Sequence, residues 1–384
     1  MENNWILLLI SFLVALFISI QFLKRFIQFS KKKSWLDLPD ERKKHLAPTP
    51  SSGGIVFGIL ALLLIPFIIH SVPYLVVIIS ALFLMAVGFY DDCNDISARV
   101  KFTLQTVAII VSLAVIGPLN LIENNPLFLN EILTFLFVLG FTNSFNLIDG
   151  VDGLAGSYAL VVLTIITLIF LMSFNFTGAL ITSTLVAGLI GFLKFNWNPA
   201  KIFMGDTGSL FLGFFISIFA VIAVNALGTS IVETIAPKQL QLFLISLLLL
   251  PMMDTVRVMS ARMINGNPPF KADRSHLHHI LMKIGFSVKG VSYFFFLTTL
   301  LLISSSSILI YLQFEFAFIL LTLIAAMMLL FYTVLVIRIQ QHKLRMKRYQ
   351  NSLNHIVEKN QLMHQSAIHL LKNRKNEKNI PVRR

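Results

Sequence analysis

Long apolar stretches dominate the chain, and short polar segments separate them. A helix that crosses the hydrocarbon core of a bilayer needs roughly 20 predominantly apolar residues. The pattern predicts eleven such helices, at about residues 5–27, 53–70, 74–90, 101–117, 127–146, 154–174, 176–194, 208–228, 239–258, 291–312 and 315–338. We therefore predict an all-α, polytopic integral membrane protein.

The composition supports this fold class. Apolar residues make up 56% of the 384 residues and charged residues 13%, whereas soluble domains average about 45–50% and about 25%. These values exclude a soluble multidomain protein, and they exclude disorder, which requires low hydrophobicity. The single cysteine, Cys93, excludes a disulfide framework and a cysteine-based metal site.

The charged residues predict the orientation of the helices. A dense basic loop follows the first span, between Lys24 and Lys44, and the positive-inside rule places such a loop in the cytoplasm. The N-terminus is then outside and the C-terminus is cytoplasmic. Of the 31 lysines and arginines, only Lys238 falls on the outer side, and all ten aspartates fall on the cytoplasmic side. Because the rule does not concern aspartate, we expect the cytoplasmic face to carry the chemistry.

The C-terminal segment differs from the rest of the chain. Residues 339–384 hold eleven lysines and arginines and two glutamates, which gives +9 of the net charge of +13. We predict a membrane domain at 1–338 and a basic cytoplasmic tail at 339–384. The charge fits anionic lipid better than nucleic acid. Apolar residues at near-helical spacing in the tail predict a helix that lies at the membrane interface or binds a partner.

Five polar motifs lie on the predicted cytoplasmic face. They are Pro-Thr-Pro-x-x-Gly-Gly at 48–54, Asp-Asp-x-x-Asp at 91–95, Asn-x-x-Asn-x-x-Asp-Gly-x-Asp-Gly-Leu-Ala at 143–155, Asn-Pro-Ala-x-x-Phe-Met-Gly-Asp-x-Gly-Ser at 198–209 and Asp-Arg-x-His-x-His-His at 273–279. Each motif alone is weakly informative. Five of them in order, all on one face, make a strong combined signal.

Two of the motifs are rich in oxygen ligands. Asp91 and Asp92 are adjacent carboxylates at a membrane boundary, and they repel each other unless a cation or a proton compensates. A solvated helix end is the structural alternative. Asn143, Asn146 and Asp149 recur every three residues and can line one edge of a helix. Oxygen ligands of this kind suit Mg²⁺.

The other two charged motifs favour an anionic ligand. Asp206, Thr207 and Ser209 stand at a predicted helix start, where such residues are common caps. The same geometry presents free N–H groups to an anion. Three histidines at 276–279 have neither the spacing of a zinc protease motif nor assisting cysteines. Together with Arg274 they fit a phosphate-rich ligand.

The ordered motifs resemble those of the bacterial polyprenyl-phosphate N-acetylhexosamine-1-phosphate transferases, in the branch that uses GlcNAc-1-phosphate. The resemblance covers roughly residues 35–290. It implies transfer of N-acetylhexosamine-1-phosphate from the UDP-sugar to undecaprenyl phosphate, with release of UMP, as the first membrane step of surface polysaccharide, lipopolysaccharide or teichoic acid synthesis. It also implies Mg²⁺, with Mn²⁺ as an alternative, and a site on the cytoplasmic face of the bacterial inner membrane. GlcNAc is the expected sugar, and other N-acetylhexosamines stay open.

The resemblance further implies roles for individual residues. Asp206, assisted by Asn146, is expected to hold the metal. The expected catalytic carboxylates are Asp91 and Asp92, where the lipid phosphate arrives, and Asp149 and Asp152, at the nucleotide pocket. The remaining substrate-binding residues that we expect are Asn143, Asn146, Phe203, Arg262, Arg274, His276, His278 and His279.

Two alternative functions stay open. The related phospho-MurNAc-pentapeptide transferases of peptidoglycan synthesis usually read Pro-Thr-Met-Gly-Gly where this chain has Pro-Thr-Pro at 48–50. A transporter would place its polar residues near the bilayer midplane, whereas the acids here cluster at one rim. The expected partners are the lipid bilayer, undecaprenyl phosphate and a UDP-N-acetylhexosamine, without nucleic acid, and a homodimer is left open.

Overall fold

A computed structural model describes most of the chain. It describes residues 2–33, 48–121, 126–227, 237–268, 275–311 and 343–354, and the separate positions 332, 339, 356, 357 and 359. The chain divides into two compact units, Met1–Ala326 and Met327–Arg384. The predicted domain boundary after residue 338 stays a prediction.

The first unit is helical, and its described residues contain no β-strand beyond an isolated bridge at Thr49. Helices form because a backbone in hydrocarbon must satisfy its own hydrogen bonds. They are α1 (Glu2–Lys32), α2 (Ile55–Ile68), α3 (Val72–Asn94), α4 (Ala98–Ile116), α5 (Leu129–Ile148), α6 (Leu154–Met172), α7 (Phe176–Asn196), α8 (Gly205–Leu227), α9 (Pro237–Ile264), α10 (Leu277–Lys283) and α11 (Val288–Tyr311).

The predicted multi-span architecture is confirmed. Within the described residues, nine helices are long and apolar enough to cross a membrane: α1, α3 to α9, and α11. The second predicted span forms α2, whose 14 residues extend only about 21 Å at about 1.5 Å per residue, less than the roughly 30 Å of a hydrocarbon core. The eleventh predicted span, 315–338, lies outside the described residues except for position 332. The orientation of the termini stays a prediction.

Helix α8 is the centre of the bundle. In its most apolar window 94% of the residues are buried, against 17% for α1. Its largest interfaces are with α3 and α5, and it also packs on α6 and α9. The N-terminal end of α8 carries Asp206. The ends of α3 and α5 that carry Asp92 and Asn146 meet this end.

Glycines allow the backbone to approach the start of α8 closely. A Cβ atom at Gly54 would collide with the backbone of Gly208, and one at Gly88 would collide with the carbonyl group of Asp206. The N–H of Gly54 donates a hydrogen bond to the carbonyl oxygen of Met204 (3.0 Å). The Gly-Gly of the first motif and the glycines of the fourth motif are thus parts of one contact, in which any side chain would separate the segments.

We expect the substitution Gly88→Ala to lower the free energy of unfolding by about 1–3 kcal/mol, the usual range for overpacking, because the added methyl group meets rigid backbone. Gly140→Ala, in α5, is the matched control, since its methyl group would meet only the terminal carbon of Met252 at 3.0 Å. Thermal unfolding of the detergent-solubilised protein measures both. Equal unfolding temperatures for the two variants would contradict the proposed backbone contact.

Candidate active site

An aspartate from α3 caps the N-terminal end of α8. One carboxylate oxygen of Asp92 accepts a hydrogen bond from the backbone N–H of Asp206 (2.8 Å). The other oxygen accepts from the hydroxyl groups of Thr207 (2.6 Å) and Ser52 (2.7 Å), and the backbone N–H of Thr207 lies 3.3 Å from it. The carboxylate thereby satisfies N–H groups that a helix leaves open and compensates the positive end of its dipole. These N–H groups are not free for a phosphate, which corrects the expectation of an anion site at this helix start.

The neighbouring aspartate shares a lysine with α8. Lys101, in the first turn of α4, places its ammonium nitrogen 2.6 Å from an Asp91 oxygen and 2.5 Å from an Asp206 oxygen. The second oxygen of Asp91 accepts from the backbone N–H of Ile96 (2.8 Å). Lys101 is 21% exposed. The ammonium group is thus a built-in counterion for two carboxylates, and it is within reach of a ligand.

The end of α5 supplies amide groups to the same point. The side-chain nitrogen of Asn146 donates to the Asp206 oxygen that does not contact Lys101 (3.0 Å) and to the Ser209 hydroxyl (2.8 Å). As placed, Asn146 orients Asp206 with its nitrogen rather than its oxygen, and its predicted part in metal binding stays a prediction. Asn143 lies one turn earlier and donates to the carbonyl oxygen of Leu139 (2.9 Å).

The turn between α5 and α6 carries the remaining two predicted carboxylates. Asp152 accepts hydrogen bonds from the side chain of Asn198 (2.9 Å) and the N–H of Ala200 (3.0 Å), and it therefore ties this turn to the segment before α8. The turn ends at Gly153, whose φ of +74° is a left-handed conformation that favours glycine.

The environment of Asp149 disfavours the ionised form of its carboxyl group. Loss of hydration raises the pKa of its carboxyl group well above the ordinary value, and the nearby carboxylates of Asp206, Asp92 and Asp152 raise it further. The residue as a whole is half-buried, so the loss of hydration concerns its carboxyl group rather than the entire residue. A carboxyl group that resists ionisation and lies beside other acids is typical of functional sites.

A buried aspartate holds the histidine segment in place. Asp254, in α9, is 1% exposed and accepts from the N–H of Leu277, the first residue of α10, at 3.1 Å. A ring nitrogen of His276 lies 3.0 Å from its carboxylate. Arg257 donates to the same carboxylate (2.6 Å) and to the carbonyl oxygen of Ser275 (2.7 Å). The segment is therefore held to α9 by hydrogen bonds and charges that centre on Asp254.

The histidine segment meets the acidic turn. The position that a Cβ atom would take at Gly150 lies 3.1 Å from the Nε2 atom of His278, so the absence of a side chain there makes room for this ring. His278 is 1% exposed, and its ring centroid is 4.2 Å from that of His279. The third and fifth motifs are thereby brought together.

Three other predicted substrate-binding residues have different placements. Phe203 is half-buried, and its backbone N–H donates to the carbonyl oxygen of Pro50 (2.9 Å), which joins the first and fourth motifs. Arg262 lies half-buried in the last turn of α9. Arg274 lies outside the described residues.

Two charged residues of the site were missed by the sequence analysis, Lys101 and Asp254. Lys101 opens the predicted span at 101–117 and Asp254 lies inside the one at 239–258, and both stretches were interpreted only as spans. The signal for Lys101 was weak, because Arg99 stands two residues earlier in the same helical turn. Asp254 did offer a signal, because a carboxylate inside an apolar helix requires a partner.

Asp206 and Asp91 are the oxygen donors of the site that would hold Mg²⁺. Within the described part of the chain, no three His, Cys, Asp or Glu side chains are grouped as a metal site. Mg²⁺, however, commonly takes one or two protein carboxylates and completes its shell with phosphate oxygens and water. Asp206, with Asp91 on the other side of Lys101, meets that requirement. The residues therefore fit a metal that binds together with a phosphate ligand.

We expect Asp92→Ala to lower the free energy of unfolding by about 1–2 kcal/mol, as the loss of a helix cap does. Asp92→Asn keeps an acceptor oxygen for the start of α8, and we expect it to retain most of that stability. Chemical or thermal unfolding in detergent measures the difference. An equal decrease in the free energy of unfolding in the two variants would exclude helix capping as the main role of Asp92.

We expect Asp149→Asn to raise the unfolding temperature at neutral pH without added divalent metal. A raised folded-state pKa means that wild-type stability is full below the unfolded pKa of about 3.9 and is lost as the pH rises toward the folded pKa. The two proteins should therefore unfold alike at about pH 4, and the gap should widen with pH. Asp95→Asn, at an exposed position, is the control. A difference in unfolding temperature between Asp149→Asn and the wild type that stays constant with pH would contradict the raised pKa of Asp149.

Known proteins share extensive sequence similarity with this chain. The model of the family described as glycosyl transferase family 4 matches residues 74–224, which include the second, third and fourth motifs. A Bacillus subtilis (strain 168) protein named "Probable undecaprenyl-phosphate N-acetylglucosaminyl 1-phosphate transferase" is 31% identical over 299 residues, 75% of this chain and 80% of that protein.

Two further relatives carry similar names. The undecaprenyl-phosphate alpha-N-acetylglucosaminyl 1-phosphate transferase of Escherichia coli (strain K12) is 28% identical over 67% of this chain and 72% of its own length. The decaprenyl-phosphate N-acetylglucosaminephosphotransferase of Mycolicibacterium smegmatis is 26% identical over 65% of this chain and 69% of its own length. By its membrane helices, its five convergent motifs and these matches, the chain belongs to the bacterial polyprenyl-phosphate N-acetylhexosamine-1-phosphate transferase family.

Proposed function

We propose that this protein transfers GlcNAc-1-phosphate from UDP-GlcNAc to undecaprenyl phosphate, at the cytoplasmic face of the bacterial inner membrane. The product lipid would initiate the synthesis of a surface polysaccharide or teichoic acid. The observation that carries the proposal is the meeting of Lys101, Asp91 and Asp206 at the ends of apolar helices. The names of the relatives support the choice of sugar and lipid.

The reaction joins two phosphates. An oxygen of the lipid phosphate attacks the phosphorus that carries the sugar, and the bond from that phosphorus to the bridging oxygen of the diphosphate breaks. UMP leaves with the bridging oxygen, and the lipid-diphospho-sugar forms. Because both reactants are anions, the protein must mainly position them and offset their charge.

Lys101 is suited to offset this charge. An ammonium group has three N–H donors, and within the described structure Asp91 and Asp206 take two of them. We assign the third to an oxygen of the transferred phosphate. The position of Lys101 in the first turn of α4 brings this donor to the membrane surface, where the head of a lipid phosphate lies.

The acids around Lys101 are assigned to binding Mg²⁺ and orienting the lipid phosphate. Asp206, oriented by Asn146, and Asp91 would hold Mg²⁺. Bound Mg²⁺ would offset the charge of the diphosphate and make the phosphorus more electrophilic. A lipid phosphate monoester is already largely ionised at pH 7, so Asp91 is assigned to orienting it and not to removing a proton.

The nucleotide-sugar is assigned to the opposite side of the site. The acidic turn at 149–153 and the histidine segment meet at Gly150 and His278, and together they offer both acceptors and donors. The Asp254 network keeps the histidines at that turn without a ligand. A preorganised donor set of this kind loses little entropy when an anionic ligand binds.

The arrangement favours a transferase over a transporter. Asp91 lies in the last turn of α3, Asp206 is the second residue of α8, and Asn146 lies in the last turn of α5. All three are at helix ends, whereas a transporter places its binding residues near the bilayer midplane.

We expect the purified protein to form UMP only when UDP-GlcNAc, undecaprenyl phosphate and Mg²⁺ are all present. Replacement of Lys101 by glutamine should lower kcat by on the order of 10²- to 10³-fold, the usual effect of losing one electrostatic contact in a transition state. UMP release, followed by chromatography, measures both, and a panel of UDP-sugars tests the choice of sugar.

Lys194→Gln is the matched control, since Lys194 is exposed near the end of α7 and should retain the wild-type rate. A wild-type rate in Lys101→Gln would exclude Lys101 from the mechanism. No UMP from folded protein with any UDP-sugar would contradict the proposed reaction.

A further inference from the structure

The second unit contains a helix that the proposed reaction does not use. Residues 343–354 form this helix, here named α12, and positions 356, 357 and 359 are helical as well. Every described side chain from 343 to 359 is exposed. The helix is therefore an isolated surface element within the described part of its unit, and its amphipathic character decides what it can bind.

One side of α12 is apolar. At about 100° per residue, Met346, Tyr349, Leu353, Ile356 and Val357 fall within an arc of about 100°. These five side chains are 43% to 64% exposed. A continuous apolar face of this kind is unfavourable in water and indicates a surface that becomes covered.

Basic residues border the apolar face on both sides. Arg345 and Arg348 lie along one edge and Lys343 and Lys347 along the other, by the same helical geometry, and Lys359 extends the first edge. Only one acidic residue, Glu358, occurs between positions 343 and 359. Lysine and arginine side chains have apolar stems that can lie on hydrocarbon while their charged ends reach outward.

We propose that α12 lies flat on the bilayer that the chain spans and binds its anionic phospholipid headgroups. The apolar arc would enter the boundary between headgroups and acyl chains, and the two basic edges would contact lipid phosphates. This combination of a narrow apolar face and flanking cations is the pattern of interfacial helices.

Charge and tethering both favour a lipid surface over a protein partner. The tail holds eleven basic and two acidic residues after position 338. An anionic leaflet attracts such a segment without requiring its basic residues to occupy fixed positions. The tail also follows the predicted membrane spans in the same chain, so its effective concentration at the bilayer is high without any further affinity. A protein partner would require matching acidic residues at fixed positions.

The full chain in vesicles provides the test. The only cysteine, Cys93, is first replaced by serine, and a single cysteine is then placed at Leu353, in the apolar arc, or at Asn351, on the opposite side. Each is labelled with an environment-sensitive fluorophore. We expect a blue shift of emission at position 353 and none at position 351, in vesicles of phosphatidylcholine with phosphatidylglycerol but not in phosphatidylcholine alone.

A variant without the basic residues of α12 measures how much electrostatic attraction contributes to its binding to the bilayer. Replacement of Lys343, Arg345, Lys347 and Arg348 by glutamine should abolish the shift at position 353, and high salt should reduce it in the unsubstituted chain. UMP release in detergent should be unchanged in this variant. Equal emission at positions 351 and 353, an equal shift in neutral vesicles, or a shift that requires added cell extract would each overturn the proposal.

Discussion

The contact between the carboxylate of Asp92 and the first turn of α8 determines how the rest of the site is arranged. Gly88 lies one turn before Asp92 on the same face of α3 and lets that helix touch the backbone of Asp206. The carboxylate then lies under the open N–H groups of α8, where it is favoured by both hydrogen bonding and the helix dipole. Ser52 joins through the same carboxylate, so three distant segments have one common anchor.

The two adjacent aspartates thus have different tasks. Asp92 holds the scaffold, while Asp91, pointing to a different side of α3, shares Lys101 with Asp206. Loss of hydration, and after it the charges of nearby carboxylates, raise the pKa of Asp149, so that its carboxyl group resists ionisation. Carboxylates that raise one another's pKa in this way lower stability, and such arrangements are typical of functional sites.

Much of this arrangement could be predicted from the sequence. The helices followed from apolar length, and the five motifs followed from polar residues that have no place in a span. The partners could not be predicted, because Lys101 and Asp254 belong to predicted spans and their importance depends on which helices pack together. The short α2 was also missed, because the Gly-Gly segment at 53–54 pairs with the backbone at 203–204 instead of extending the helix. The cap on α8 comes from a residue 114 positions away, a distance beyond any local pattern.

Lys101 changes the way in which binding at this site should be understood. Its ammonium group already has two carboxylate partners, and the proposed phosphate oxygen would take only the N–H donor that they leave. Binding would then add a third anion to a cation whose charge is already offset, rather than fill an electropositive hole. A simple anion that offers charge alone would gain little there, and a ligand that brings several oxygens to the site would be favoured.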